Sequence, residues 1–203
     1  MLRFVRIDKK FPEMAKLAAL DKEAFPQEEY LSPNELMAMA EGRDFDFWGL
    51  FDGENFVGFM AVMLYQNLSY LFFLAIEKER RSKGYGAQAL QLLKASYPDK
   101  QQVVDLEQPE KGALNENQRE IRRAFYLHNG YQETGHAVGI GLVVEQVMGA
   151  VLQPVDRRGR FGIIETVRTV VGQSQVAAPP EHDGEHGARD HGKDNDLFLL
   201  CFS

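Results

Sequence analysis

The chain has 203 residues, of which 44% are hydrophobic and 26% charged, and its formal net charge is -7. This composition is that of one ample globular domain, or of a domain with an extension. The negative charge argues against nucleic acid as a partner, and a single cysteine, Cys201, excludes an intrachain disulfide. Charged residues interrupt the first apolar residues, so no N-terminal signal pattern is seen. No window reaches the ~18 consecutive apolar residues of a membrane span. The sequence therefore predicts a cytoplasmic protein without a membrane partner.

The chain opens with a predicted strand and two predicted helices. Leu2 to Ile7 carries strand-forming residues in alternation, and Phe11 to Phe25 has apolar residues at helical spacing until Pro26 ends the pattern. The run Ser32-Pro33-Asn34-Glu35 indicates the start of the second helix. Serine suits the N-cap, proline the first helical position, and glutamate completes a capping box.

Three strands and a strand–helix–strand unit follow. The third strand is apolar on both faces, which predicts a central position in the sheet. A helix then runs to about Ala95, and the strand after it should lie parallel to the central strand because a helix connects the two. The four predicted strands are Phe45 to Phe51, Phe56 to Tyr65, Ser69 to Ile76 and Gln102 to Leu106.

A glycine-rich turn joins the central strand to its helix. It reads Arg81-Ser82-Lys83-Gly84-Tyr85-Gly86, and apolar residues at helical spacing follow it. Such a turn aims several backbone N–H groups at one point, at the positive end of a helix dipole, so a phosphate would fit there. A turn that binds nothing is the alternative. A P-loop nucleotide site is disfavoured because no Gly-Lys-Ser/Thr ends the turn. A dinucleotide-binding motif is incomplete because Ala89 stands at the position of its last glycine.

Two segments together resemble the GNAT family of acyl-CoA N-acyltransferases. The first is Leu74-Ala75-Ile76-Glu77 with Arg81-x-x-Gly84-x-Gly86-Ala87, which is similar to the family's acetyl-CoA motif. The second falls on a predicted helix, Asn115 to His128, and its cap. The resemblance covers about residues 1 to 136, and the second pattern consists of Asn115, Gln118, Arg119, Arg123, Phe125-Tyr126 and Asn129-Gly130-Tyr131.

The resemblance implies an α/β (α+β) fold, with a mixed, mostly antiparallel central sheet flanked by helices and a splayed pair of parallel strands. It implies an N-acetyltransferase that moves an acetyl group from acetyl-CoA, its co-substrate, to a primary amine by direct attack in a ternary complex, without a metal. The amine would belong to a small molecule or a peptide, and a homodimer is compatible with the family. The alternative is a catalytically degenerate domain that binds CoA or a protein partner.

The resemblance also assigns cofactor-binding residues. Backbone amides of the turn, at Arg81, Ser82, Lys83, Gly84, Tyr85 and Gly86, would bind the CoA pyrophosphate. Glycines suit this role because they lack the β-carbons that would hold a phosphate away. The backbone of Ala75 and Ile76 would pair with pantetheine amides, and Asn115 matches an asparagine of the cofactor-side loop, although it also suits an N-cap.

Two residues are the predicted catalytic groups. Tyr126 matches the family tyrosine that donates to the departing CoA sulfur, and a tyrosine hydroxyl, with an ordinary pKa of about 10, suits an acid. A core aromatic is the alternative for Tyr126. Glu107 ends the second strand of the splayed parallel pair, beside the gap that the splay would open, and it is the candidate base ahead of Glu77. A solvated carboxylate is the alternative for both residues. The loop Pro26-Gln27-Glu28-Glu29-Tyr30, between the first two helices, would favour a cationic amine.

The sequence changes character after about residue 136. All seven tyrosines lie before that point, whereas ten of the fifteen valines lie after it. We divide the chain into a GNAT-like domain at 1–136, an atypical extension at 137–175 and a disordered tail at 176–203. Ala137 to Val151 and Phe161 to Val171 are candidates to replace the last two strands of the family fold. A divergent extension and a shifted reading frame are both compatible with the change in composition.

Overall fold

The protein folds around one mixed β-sheet. The structure is a computed structural model, and it describes residues 1–25, 30–107, 115–140 and 143–150, beyond Glu133 by backbone alone. The strands are β1 Leu2–Arg6, β2 Phe45–Asp52, β3 Asn55–Tyr65, β4 Leu68–Ile76, β5 Gln101–Glu107, β6 Gln132–Ile140 and β7 Val143–Ala150. The helices are α1 Met14–Ala24, α2 Pro33–Met39, α3 Tyr85–Ser96 and α4 Glu116–His128, and a short 3-10 helix spans Lys78–Arg80.

The sheet has the order β1-β2-β3-β4-β5-β7-β6. Every neighbouring pair is antiparallel except β4 and β5, which are parallel because α3 connects them. This arrangement confirms the predicted fold class. It also confirms β4 as a central strand, since every residue from Leu68 to Ala75 is buried.

Local sequence explains how the second helix begins. At α2 the Ser32 hydroxyl accepts a hydrogen bond from Glu35 N at 3.4 Å, and Glu35 Oε2 accepts one from Ser32 N at 2.7 Å. The predicted capping box is therefore formed, with Pro33 at the first helical position. In the described part of the chain, no helix is long and apolar enough to cross a membrane.

The helices cover both faces of the sheet. Phe47 of β2 contacts Phe59 of β3 on the face where α1 ends, since Phe25 lies against both Phe59 and Phe73. The next residue along β2, Trp48, points to the other face and donates to the hydroxyl of Tyr97, which follows α3, at 3.1 Å. The α1 face and the α3 face are therefore opposite sides of one sheet.

The described strands continue past residue 136, where the sequence analysis divides the chain. The predicted boundary at residue 136 falls inside β6, and the segment from Ala137 to Ala150 supplies the end of β6 and the whole of β7. β7 pairs with β5 on one side and β6 on the other. An interior strand need not alternate apolar and polar residues, which explains why this valine-rich segment lacks a clear period. The loop at 26–29, the candidate strand Phe161 to Val171 and the tail at 176–203 lie outside the described residues.

Candidate active site

A gap opens in the middle of the sheet between β4 and β5. The two strands pair only where Leu68 to Tyr70 meets Gln101 to Val103, although β4 continues to Ile76 and β5 to Glu107. Across from β3, the register shifts between Ala61 and Val62, so that Phe72 of β4 is an extra residue. A bulge of this kind bends a strand and increases its twist. The bend therefore lies where β4 leaves β5.

The backbone of β4 can be assigned a direction at the open end of this gap. Glu77 N donates to Val57 O of β3 at 2.9 Å. Because successive residues of a strand point their backbone groups to opposite sides, those of Ile76 are directed away from β3 and into the gap, as are those of Leu74. Those of Ala75, which pairs with Phe59, are directed toward β3. The geometry therefore favours Ile76 over Ala75 as a backbone partner for a ligand.

The glycine-rich turn follows the end of β4 that borders the gap. Ser82 and Gly84 have left-handed φ angles of 58° and 80°. The first backbone hydrogen bond of α3 runs from Gln88 N to Gly84 O at 3.0 Å, so the N–H groups of Tyr85 and Gly86 find no acceptor within the helix. No side chain caps this helix start. The backbone N–H groups of Tyr85 and Gly86 therefore lie at an uncapped helix start, where the sequence predicts an anion.

Two side chains of the turn brace it from within. Arg81 donates from Nε to Ile76 O at 2.9 Å and lies 3.4 Å from Glu23 of α1, with its amide donating to Lys78 O at 3.3 Å. Lys83 donates from Nζ to Glu79 O at 2.7 Å. Both cations therefore hold the turn in shape, in addition to placing positive charge beside it.

The second glycine of the turn allows α4 to approach α3. A Cβ at Gly86 would lie 3.1 Å from the ring of Phe125. The absence of a side chain at Gly86 thus brings the middle of α4 against the start of α3. Tyr126, next along α4, is fully buried, and its ring contacts those of Phe125 and Tyr131. It shares a face of α4 with Arg122, which reaches the end of β5.

Glu107, the predicted base, lies in a dense cluster of donors. Its Oε1 is 3.1 Å from an Arg119 guanidinium nitrogen, and its Oε2 is 3.3 Å from one of Arg122. Asn115 Nδ2 lies 3.2 Å from Oε2, and Asn115 Oδ1 accepts from Arg119 Nε at 2.8 Å. Asn115 therefore bridges Glu107 to α4 instead of capping that helix with its side chain. A carboxylate that faces two guanidinium groups and an amide is placed to hold α4 against β5.

A second carboxylate of β5 lies close to the apex of the gap. Asp105 is buried, and its Oδ1 accepts a hydrogen bond of 2.5 Å from the hydroxyl of Tyr70 on β4. Its Oδ2 has no hydrogen-bond partner among the described residues. Tyr70 and Val103 form the last paired rung of β4 and β5. A carboxylate oxygen that lacks a donor in such a place is chemically unusual.

A family model supports the resemblance to the GNAT family. The model described as an acetyltransferase (GNAT) domain matches residues 43–133, which include β2 to β5, the glycine turn and α4. This stretch of the chain is identified as a GNAT domain. The match supports acyl transfer as the general activity of this domain. A search of the curated proteins found no match.

Solved structures with the GNAT fold resemble the chain over most of their length. A Bacteroides thetaiotaomicron protein assigned to the GNAT family shares 22% identity at a TM-score of 0.68, covering 83% of this chain and 97% of that one. The PaiA N-acetyltransferase from Thermoplasma acidophilum, solved in complex with coenzyme A, shares 15% identity at a TM-score of 0.54, over 72% and 98%. The aminoglycoside 6'-N-acetyltransferase from Enterococcus faecium shares 16% identity at 0.55, over 77% and 99%. These likenesses establish the GNAT fold.

Asp105 and Asp21 are buried carboxylates that sequence reasoning overlooked. Asp105 interrupts an apolar run, Val103 to Leu106, in a strand that is buried throughout. An acidic residue in such a strand is unusual, and that signal was available in the sequence. Asp21 occupies a buried position on α1. The described residues contain no group of three or more histidine, cysteine or acidic side chains placed to hold a metal ion.

Proposed function

We propose that the chain is an N-acetyltransferase that transfers the acetyl group of acetyl-CoA to a primary amine by direct attack in a ternary complex. The observation that carries the proposal is the gap between β4 and β5, because the strand that borders it, β4, leads into a turn and an uncapped helix start. An extended ligand with amide groups can pair with backbone that faces such a gap, while its phosphates lie on the free N–H groups of the turn.

The residues of the turn and of β4 would bind acetyl-CoA. Backbone N–H groups from Ser82 to Gly86 are the proposed ligands of the pyrophosphate. The backbone groups of Ile76 and Leu74, directed into the gap, are the proposed partners of the pantetheine amides. A backbone N–H of β4 nearer the bulge would stabilise the negative charge that develops on the thioester oxygen.

Two groups would handle protons. Asp105 is the proposed proton acceptor for the attacking amine, because its Oδ2 accepts no hydrogen bond from the described residues beside the apex of the gap. The engaged oxygens of Glu107 make that residue a less suitable base, since a base needs a lone pair within reach of the substrate proton. Tyr126 would protonate the departing sulfur, and the proton that Asp105 took from the amine nitrogen would return through solvent to the Tyr126 phenolate, so that one proton passes overall from nitrogen to sulfur.

The proposal is tested by two measurements on the full chain. Calorimetry should detect binding of acetyl-CoA, and a thiol-release assay over a panel of primary amines should detect turnover. Binding without turnover of any amine would support a degenerate, CoA-binding domain instead. The absence of both would remove acyl-CoA chemistry from this chain.

A further inference from the structure

The end of β4 that borders the gap lies against a glycine of β3. Gly58 pairs with Ile76 in the antiparallel register, and the next rung is closed by the hydrogen bond from Glu77 N to Val57 O at 2.9 Å. A β-carbon at Gly58 would lie 2.1 Å from Ala75 O and 3.0 Å from Ile76 Cα. Real β-carbons essentially never approach another atom within 3.0 Å, so only glycine allows β3 and β4 to come this close.

A bulge in β3 places Gly58 at this contact. Leu50 of β2 pairs with Gly58 and Phe51 pairs with Phe56, so Val57 is an extra residue of β3. A bulge of this kind bends the strand that carries it and increases its twist. Because the extra residue directly precedes Gly58, β3 bends at the point where it meets the end of β4.

The two sides of β4 differ here in what holds the strand. β3 is fixed between β4 and β2, whereas the described residues of β4 beyond Tyr70 form no backbone pair with β5. On the gap side, the carbonyl of Ile76 accepts a hydrogen bond from Nε of Arg81 at 2.9 Å. A group that pressed on Ala75 from β3 would therefore move the end of β4 into the gap, because no neighbouring strand resists it there.

We propose that Gly58 is a positioning residue for the pantetheine arm of acetyl-CoA, because it lets β3 hold the end of β4 away from the gap. This inference rests on the proposed N-acetyltransferase activity, in which backbone groups of Ile76 and Leu74 pair with that arm. Gly58 lies across β4 from the gap and does not itself touch the cofactor. With the hydrogen bond between Val57 and Glu77, it sets the width of the gap where β4 leads into the glycine-rich turn.

Gly58→Ala should narrow the gap and leave the turn unchanged. To relieve the contact between its methyl group and Ala75 O, the end of β4 must shift by about 1 Å. Such a shift exceeds the narrow range, about 2.7–3.2 Å, over which N–H···O hydrogen bonds keep their length. The backbone groups of Ile76 and Leu74 would then no longer match the amides of the pantetheine arm.

The experiment measures the binding of two ligands to the full chain by calorimetry. Coenzyme A carries the pantetheine arm, whereas adenosine 3',5'-bisphosphate keeps the nucleotide and one phosphate of the pyrophosphate but lacks the arm. Gly58→Ala should weaken coenzyme A binding about tenfold, the loss expected for two ordinary hydrogen bonds, and leave the affinity for adenosine 3',5'-bisphosphate unchanged. The control is Gly49→Ala, which places a β-carbon 2.5 Å from the Phe11 ring and should lower stability while keeping both affinities.

Three results would overturn the positioning role and leave the proposed acetyl transfer intact. They are an unchanged coenzyme A affinity in Gly58→Ala, an equal loss of both affinities, and the same selective loss in Gly49→Ala. Absence of coenzyme A binding to the wild-type protein would instead remove the proposed function, and this inference with it.

A second variant covers failure of Gly58→Ala to fold. Glu77→Pro removes the N–H that holds the end of β4 to Val57 O, and proline suits the backbone of Glu77, whose φ is -51°. It should weaken the binding of coenzyme A and not that of adenosine 3',5'-bisphosphate. Unchanged coenzyme A affinity, or an equal loss of both affinities, would again overturn the role of this contact.

Discussion

The hydroxyl of Tyr70 and the carboxylate of Asp105 are joined by a hydrogen bond of 2.5 Å beside the last paired rung of β4 and β5. Tyr70 and Asp105 are 35 residues apart in sequence, and the parallel pairing of β4 with β5 brings them together. We expect Asp105→Asn to lower kcat at saturating acetyl-CoA by about 100-fold or more, the range for loss of a general base. The acetyl-CoA dissociation constant should not change. Wild-type turnover in this variant would exclude Asp105 as the base.

Tyr126 gives a prediction about the leaving group. Phenylalanine fills the same buried space between Phe125 and Tyr131 but cannot donate a proton. Tyr126→Phe should lower kcat while the affinity for acetyl-CoA, measured by calorimetry, stays near that of the wild-type protein. Unchanged turnover would remove Tyr126 from the mechanism.

Gly84 and Gly130 form a matched pair for testing the turn. Both have left-handed backbone, with φ angles of 80° and 85°, and alanine costs about 1–2 kcal/mol in that conformation. Gly84→Ala and Gly130→Ala should therefore lower the free energy of unfolding by similar amounts. Only Gly84→Ala should weaken coenzyme A binding, because its new methyl group, 3.9 Å from Gln88 Nε2, would lie at the proposed phosphate-binding turn. Equal coenzyme A affinities in the two variants would argue against a phosphate site there.

Glu107 should prove more important for stability than its position at a strand end suggests. Glu107→Gln removes the charge that faces Arg119 and the buried Arg122, and breaking a buried ion pair typically costs about 3–5 kcal/mol. The control is Glu133→Gln, which breaks the half-exposed pair with Arg123 and should cost about 1 kcal/mol or less. Denaturant unfolding measures both. A stable Glu107→Gln protein without turnover would instead restore Glu107 as the base.

Asp21 should make the stability of the protein depend on pH. Its pKa rises from 3.8 to about 7 on folding, so the folded state binds the proton more tightly than the unfolded chain. The free energy of unfolding should therefore fall as pH rises from about 4 through about 7, by roughly 4 kcal/mol at most. Asp21→Asn should remove this part of the slope and stabilise the protein at pH 8 relative to wild type. A wild-type slope in the variant would contradict the assignment.

Local patterns were sufficient to predict the elements that form the cofactor half of the site. The strand, the turn with Gly84 and the helix after it follow one another in sequence, and the parallel pairing of β4 with β5 follows from the connecting helix. The environment of Glu107 depends on side chains from α4, which no local pattern places. For the segment after residue 136 the sequence predicts only a candidate strand, Ala137 to Val151, because an interior, valine-rich strand gives no alternation from which to set its bounds.

The three rungs that join β4 to β5 have a mechanical consequence. These rungs are the short paired segment that joins two parts of the sheet, one made of β1 to β4 and the other of β5, β7 and β6. Beyond these three rungs, β4 and β5 do not form backbone pairs with each other. A ligand bound in that gap would pair with the free backbone of both strands, as an eighth strand would. We therefore expect cofactor binding to stiffen the whole sheet.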